Sequence, residues 1–187
     1  MILVLVGESA SGKTTLAKKF EEETDFSRVI TYTTRPMREG EENGVDYFFI
    51  NSEQFNKMCE EGRFIEHAEY RGWKYGTAMN FKQNENKIVV LTPAGARAMK
   101  RNWDKENQQM VRQNKIVYID VDRRSRLIKM LERGDDIEEA YRRSLSDVGQ
   151  FDAFESEADF TIHNNCYEKT VHEVLEEIKR KIEIEVV

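Results

Sequence analysis

Gly7-Glu8-Ser9-Ala10-Ser11-Gly12-Lys13-Thr14 places two glycines, a lysine and a hydroxyl at the spacing G-x-x-x-x-G-K-[ST]. The glycines let the backbone curl until successive N–H groups point inward, where they cradle phosphate oxygens. The helix that follows the loop adds the partial positive charge of its N-terminus to the same spot. Lys13 then reaches the β- and γ-phosphates, and the Thr14 hydroxyl is a ligand for Mg²⁺. These residue types in this order predict a nucleoside triphosphate site.

A loop of this kind must sit between a strand and a helix. The apolar run Ile2–Val6 before it reads as a buried strand, and Thr15–Glu21 after it has a helix-start composition. Further apolar runs at Arg28–Tyr32, Lys87–Leu91, Lys115–Ile119 and Asp159–Ile162 give about five strands separated by helical segments. That alternation predicts an α/β fold, a parallel sheet covered by helices on both faces. The last helix, Tyr167 to Ile182, carries Val171, Val174, Leu175 and Ile178 on one face. Thr33 to Lys82 breaks the rhythm: it is aromatic-rich, glycine-punctuated and holds short strand-like runs at Asp46–Ile50 and Arg63–Glu66. It reads as an inserted subdomain with its own small sheet. Arg123 to Asp152 reads as helical throughout, with a break at Gly134.

Within and beyond the insert comes an ordered series: Thr33-Thr34-Arg35-Pro36-Met37-Arg38-Glu39-Gly40-Glu41, Asn43-Gly44-Val45-Asp46-Tyr47-Phe48-Phe49, Phe64-Ile65-Glu66-His67-Ala68 and Tyr75-Gly76-Thr77. With the phosphate loop ahead of it, this series closely resembles guanylate kinase, from Met1 to about Asn164. The proline falls one place early against the family pattern, while Arg35 and Arg38 keep their separation. The resemblance implies a five-stranded core (1–32 and 83–187), an acceptor-binding subdomain (33–82) and a helical lid (123–152), all in one domain spanning 1–187. It implies transfer of the ATP γ-phosphoryl group to GMP or dGMP, with Ser9, Ala10, Ser11, Gly12, Lys13, Thr14, Thr15 and Asn164 on the ATP side. On the acceptor side it implies Thr31, Arg35, Arg38, Tyr47, Glu66, Tyr75, Thr77 and Thr92.

The side chains suit those roles chemically. Arg35 and Arg38 offer forked, charge-assisted hydrogen bonds to a phosphate. Tyr47 and Tyr75 add neutral donors. The Glu66 carboxylate accepts two parallel bonds, which guanine's N1–H and N2–H supply and adenine's edge does not. The lid carries Arg123, Arg124, Arg126, Lys129, Arg133, Arg142 and Arg143; Arg133-Gly134 matches the family's R-G pair. The family's next arginine falls on Ser144 by ungapped count, so Arg143 beside it is the replacement if the helix is rotated or slipped. Lys13, Arg38, Arg133 and Arg143 are thus the expected catalytic cations.

Two acids that the family carries after the insert are Val90 and Thr92 here. Asp120 at the end of a neighbouring strand is a candidate replacement, whereas Asp122 reads as the cap of the helix starting near Arg123. The acidic cluster Glu39, Glu41 and Glu42 reads as a solvated loop. The missing acids leave open a kinase for another (deoxy)nucleoside monophosphate, and the architecture leaves open a non-catalytic binding module.

The composition bounds the partners. A net charge of -6 with 34% charged residues argues against a nucleic-acid footprint over the whole surface. No apolar run approaches a membrane span, and the first apolar stretch is short and lacks a basic leader. Cys59 and Cys166 stand alone, and His67, His163 and His172 are scattered, so neither a disulfide nor a zinc site is expected. The expectation is a cytoplasmic monomer or homodimer that binds small nucleotides.

Overall fold

A computed structural model of the chain describes residues 1–78, 85–106 and 114–184. In chain order its elements are β1 (Ile2–Val6), α1 (Lys13–Glu23), β2 (Ser27–Arg28), β3 (Tyr32–Thr33), β4 (Phe48–Phe49), α2 (Ser52–Glu60), β5 (Phe64–Tyr70), β6 (Trp73–Ala78), β7 (Lys87–Val90), α3 (Pro93–Glu106), β8 (Lys115–Asp120), α4 (Arg123–Glu132), α5 (Ile137–Asp147), β9 (Phe160–His163) and α6 (Val171–Ile184). Five strands form one parallel sheet in the order β2-β7-β1-β8-β9. A second sheet has the order β4-β3-β6-β5. The expected α/β architecture is therefore present, insert included. The expected end of the insert, at residues 82–83, lies outside the described residues, as do the last three residues.

The side chains of β1 alternate between the two faces of the main sheet, and both faces are buried. Leu3 and Leu5 pack with Leu16, Phe20, Val174, Leu175 and Ile178 under α1 and α6. Val4 and Val6 pack with Val89, Met99, Ile116, Tyr118 and Phe154 on the α3 side. The insert has a core of its own in Phe55, Met58 and Phe64.

Several boundaries move for identifiable reasons. The expected strand Arg28–Tyr32 is divided between the sheets: Val29 N–H still bonds Ile88 O, but Thr31 O already accepts Phe48 N–H. An apolar run does not encode which sheet it joins. Only Phe48–Phe49 of Asp46–Ile50 is strand, because the Asp46 carboxylate turns back to Glu42 N–H and to Lys18 on α1, at 3.0 and 2.9 Å. The strand expected at Arg63–Glu66 runs on to Tyr70 and returns as β6 through Arg71-Gly72. Both turn residues have positive φ (58 and 74), as a two-residue type I′ hairpin requires.

Asn51 and Gln54 form a reciprocal capping box that starts α2. Asp122 caps α4 at Ser125 N–H (2.9 Å), as expected from its position. The arginine-rich stretch is not helical to Asp152: α5 stops at Asp147, after which Val148 is extended and Gly149 has φ +80. The last helix begins at Val171, not Tyr167, because Thr170 and Glu173 form a second capping box there. Val171 is consequently exposed and leaves the packing face to Val174, Leu175, Ile178 and Ile182. Among the described residues no helix is long and apolar enough to cross a membrane.

Candidate active site

The strand ends of β1 and β7, the insert, the two arginine-rich helices and the turn before α6 enclose one cleft of about 1260 Å³. Fifteen of the expected site residues line it: Ser9, Ala10, Gly12, Lys13, Thr14, Thr15, Thr31, Arg35, Arg38, Tyr47, Glu66, Tyr75, Thr92, Arg133 and Arg143. Ser11, Thr77 and Asn164 are buried behind or beside it.

At the donor end the loop geometry follows from its glycines. A Cβ on Gly7 would stand 2.6 Å from both Ile119 O and Ser11 Oγ, so only glycine fits beneath the loop. Gly12 is left-handed (φ 90) and starts α1 with no side-chain cap, which leaves the first amides of that helix available to an anion. Lys13 folds back to Glu8 O at 2.7 Å and Ser11 Oγ at 3.1 Å. Burial pushes its ammonium down to about 8, with Asp147 and Glu8 nearby pulling the other way. Thr14 and Thr15 are exposed on the first turn of the helix.

The acceptor end is built by the insert. Arg35 is buried, bonds Pro36 O and Glu41 Oε1 at 2.7 Å each, and lies over the rings of Tyr47 and Phe49. Glu41 also accepts the Arg38 backbone N–H at 2.8 Å. It is therefore not part of a solvated loop as expected. It is drawn inward by Arg35 and fixes both arginines, while Glu39 and Glu42 stay exposed. Tyr47 and Tyr75 meet edge-on at 6.2 Å, and burial raises the Tyr47 phenol, keeping it a neutral donor. Gly76 between Tyr75 and Thr77 is pressed on the Phe64 ring, where a Cβ would come to 2.9 Å.

Glu66 is 4% exposed. Burial lifts its carboxyl to about 7, only partly offset by hydrogen bonds from Thr77, whose hydroxyl lies 2.5 Å from Oε1. Its other oxygen occupies the space that a side chain on Gly95 would fill, 2.8 Å from that Cβ position. Val90 and Thr92 face the same cleft, so no carboxylate enters from either position. Thr92 Oγ1 accepts Gly95 N–H at 3.1 Å and so closes the first turn of α3. Asp120, the candidate replacement acid, bonds His163 Nδ1 at 2.9 Å and is not among the residues lining the cleft.

The two arginine-rich helices form the cleft's third wall. Arg143 sits on the buried face of α5 with Ala140, Ser144 and Asp147. It bonds Asp135 at 2.9 Å, and burial beside Arg38 and Arg133 pulls its guanidinium down to about 10. Ser144, the position reached by ungapped count, is spent on Arg123 Nε (2.8 Å). Arg133 also pairs with Asp135 and remains 43% exposed at its side chain. Asn164 uses both ends of its amide on the Lys169 backbone, at 2.8 and 3.0 Å.

Other residues line the site or brace it from behind, and of these only Arg126 is marked for it in the sequence, as one of the lid arginines. Tyr167 bonds Ala10 O at 2.7 Å and, with Val171, walls the donor end. Arg126 is buried against Val121 O, Glu8 and Asp147. Only the fold brings Tyr70 and Asp147, 77 residues apart, into contact.

A family model described as Guanylate kinase matches residues 1–181. A guanylate kinase of Enterococcus faecalis is 46% identical over 96 residues, covering 49% of this chain and 47% of its own length. One from Sus scrofa is 45% identical over 94 residues, 48% of each chain. The chain spans about half the length of the curated relatives it matches. A crystal structure of guanylate kinase from Anaplasma phagocytophilum matches 99% of this chain and 85% of its own at 22% identity, TM-score 0.69. The Bacillus subtilis YorR protein, solved in complex with phosphorylated GDP, matches 99% and 97% at 17% identity, TM-score 0.53. At those identities the two structures share the fold.

Proposed function

The chain belongs to the guanylate kinase family, and from that premise and the cleft's geometry we propose that it phosphorylates GMP and dGMP with ATP. The observation that carries this reading is the arrangement of one cleft. An uncapped helix N-terminus with Lys13 lies at one end, and at the other lie a buried carboxylate, Glu66, and the Arg35–Arg38 pair.

ATP enters with its phosphates against the amides of the uncapped turn from Gly12 to Thr15, Lys13 supplying the charge. Mg²⁺ would supply charge neutralisation at the phosphates of the bound nucleotide. The exposed Thr14 hydroxyl fits it as one oxygen ligand.

The acceptor's phosphate sits between Arg35, Arg38, Tyr47 and Tyr75, and its base lies toward Glu66, Thr31, Thr77 and Thr92. Glu66 reads guanine because its ionised form accepts both N1–H and N2–H; adenine leaves a buried charge unpaired. Arg143, assisted by Arg133, neutralises the phosphoryl group as it moves between the nucleotides. In this scheme 1–32 and 83–187 are the core, 33–82 carries the acceptor and 123–152 is the lid, all within one unit in the cytoplasm. Incubating the chain with ATP, Mg²⁺ and each of GMP, dGMP, AMP, CMP, UMP and dTMP should release ADP with the two guanine nucleotides far above the rest. No turnover with any acceptor overturns the reading, and a non-guanine acceptor as the best substrate replaces it.

A further inference from the structure

Asp147 ends α5 and its side chain is only 3% exposed. Its carboxylate is approached by donors from three separate parts of the molecule. Oδ2 takes the Ser9 N–H of the phosphate loop at 2.9 Å and Arg126 Nη1 of α4 at 3.3 Å. Oδ1 takes the Ser9 hydroxyl at 3.3 Å and the hydroxyl of Tyr70, the last residue of β5. A carboxylate offers about four acceptor positions, and all four are used. A buried charge in that state resists the loss of any one partner, because the vacated position costs its full desolvation.

Two neighbours extend this contact in opposite directions. Arg143 lies one helical turn before Asp147 on the same buried face of α5, so whatever fixes Asp147 fixes the rotation that brings Arg143 into the cleft. Tyr70 packs edge-on against Tyr75 (6.4 Å), and the next residue, Arg71, reaches Glu139 of the same helix at 3.6 Å.

We propose that Asp147 is a positioning residue that couples the two nucleotide ends: seating Tyr70 from the acceptor side on this carboxylate locks the phosphate loop and the Arg143 helix together. The coupling rests on the kinase reading above and deepens it. It is reciprocal by linkage, so an acceptor that orders Tyr75 and Tyr70 tightens the donor site, and the donor tightens the acceptor site equally. Neither Tyr70 nor Asp147 touches the transferred group in this scheme; both act through Ser9 and Arg143.

The test is calorimetric titration with β,γ-imido-ATP and Mg²⁺, with and without saturating GMP, on the parent chain, Tyr70→Phe, Asp147→Asn and the double variant. The parent should show a coupling factor of about five or more. Tyr70→Phe should bring that factor to within about twofold of one, with each nucleotide alone binding within about twofold of the parent. The double variant should lose no more coupling than either single one, which a merely structural loss would not produce. Coupling that survives Tyr70→Phe while both nucleotides still bind overturns the proposal alone, as does a parent that binds both nucleotides independently. A parent that binds neither nucleotide overturns the kinase reading and this inference with it.

Discussion

Burial acts in opposite senses on the two titratable groups at the ends of the cleft, lifting Glu66 to about 7 and lowering Lys13 to about 8. Both shifts weaken the charged form that the proposed binding of nucleotides requires. For Glu66 the folded carboxyl titrates above its unfolded value. Its contribution to stability is therefore complete below about pH 4.5 and is lost as pH rises through about 7. Guanine requires the ionised form, so GMP affinity should climb by up to tenfold per unit as pH rises toward 7 and then level off. The acceptor phosphate titrates in the same region, near 6. Glu66→Gln separates the two effects: initial rates against GMP from pH 5 to 8 should show a much higher KM and a profile without the Glu66 component, while KM for ATP stays within about threefold. An unchanged GMP profile in the variant would remove Glu66 from base recognition. For Lys13 the argument runs the other way. The free site holds a partly neutral amine above about pH 8, and bound phosphates favour the ammonium, so ATP binding at pH 8.5 should take up protons. Calorimetry in two buffers of different ionisation enthalpy measures that uptake directly.

Helices divide according to what their N-termini must do. The helices α2, α4, α5 and α6 have side-chain caps from Asn51, Asp122, Asp136 and Thr170. At the proposed phosphate site, α1 begins at a left-handed glycine without a side-chain cap. A side-chain cap there would compete with the ligand for the same donors. On the strands, Gly76 serves a different need, close packing rather than backbone freedom: β6 lies on Phe64 and Phe55, whose rings already touch at 4.7 Å. Gly76→Ala forces those buried rings to shift, an overpacking cost of about 1–3 kcal/mol. Thermal denaturation should show a Tm lower by about 2–10 °C. The flanking Tyr75 and Thr77 make a higher KM for GMP the functional signature.

The molecule as a whole is one parallel sheet whose order, β2-β7-β1-β8-β9, brings the phosphate loop and the turn after β7 to the same edge. The small sheet and the paired helices α4 and α5 then close over that edge from two sides. Ion pairs between these parts, Lys18–Asp46 and Arg71–Glu139, hold the closed arrangement but are partly exposed and contribute little singly. In the proposed transfer the charge that matters is the cluster of Arg38, Arg133 and Arg143, which Asp135 offsets only in part. Arg143→Ala should therefore lower kcat by about 10²–10³ with a smaller change in KM for either nucleotide. Steady-state kinetics at saturating ATP distinguishes that outcome from an equal rise in both KM values, which would assign Arg143 to binding alone.

Local chemistry was legible from the residues themselves: Gly7 to Thr14 dictates an anion-binding loop wherever it is placed, Asp122 announces a helix start, and alternating apolar side chains fix the faces of β1. Those properties depend on neighbours a few positions away, and neighbours are what a sequence lists. Which charges meet was decided by tertiary structure. Glu41 looks like one acid of a solvated loop until Arg35 is folded beside it; Arg143 and Ser144 are interchangeable until α5 is rotated against the sheet; Tyr70 and Asp147 share nothing until two sheets and a helix pair converge. Each depends on contacts between distant segments, whose free energy comes from excluding water at a place that no local pattern encodes.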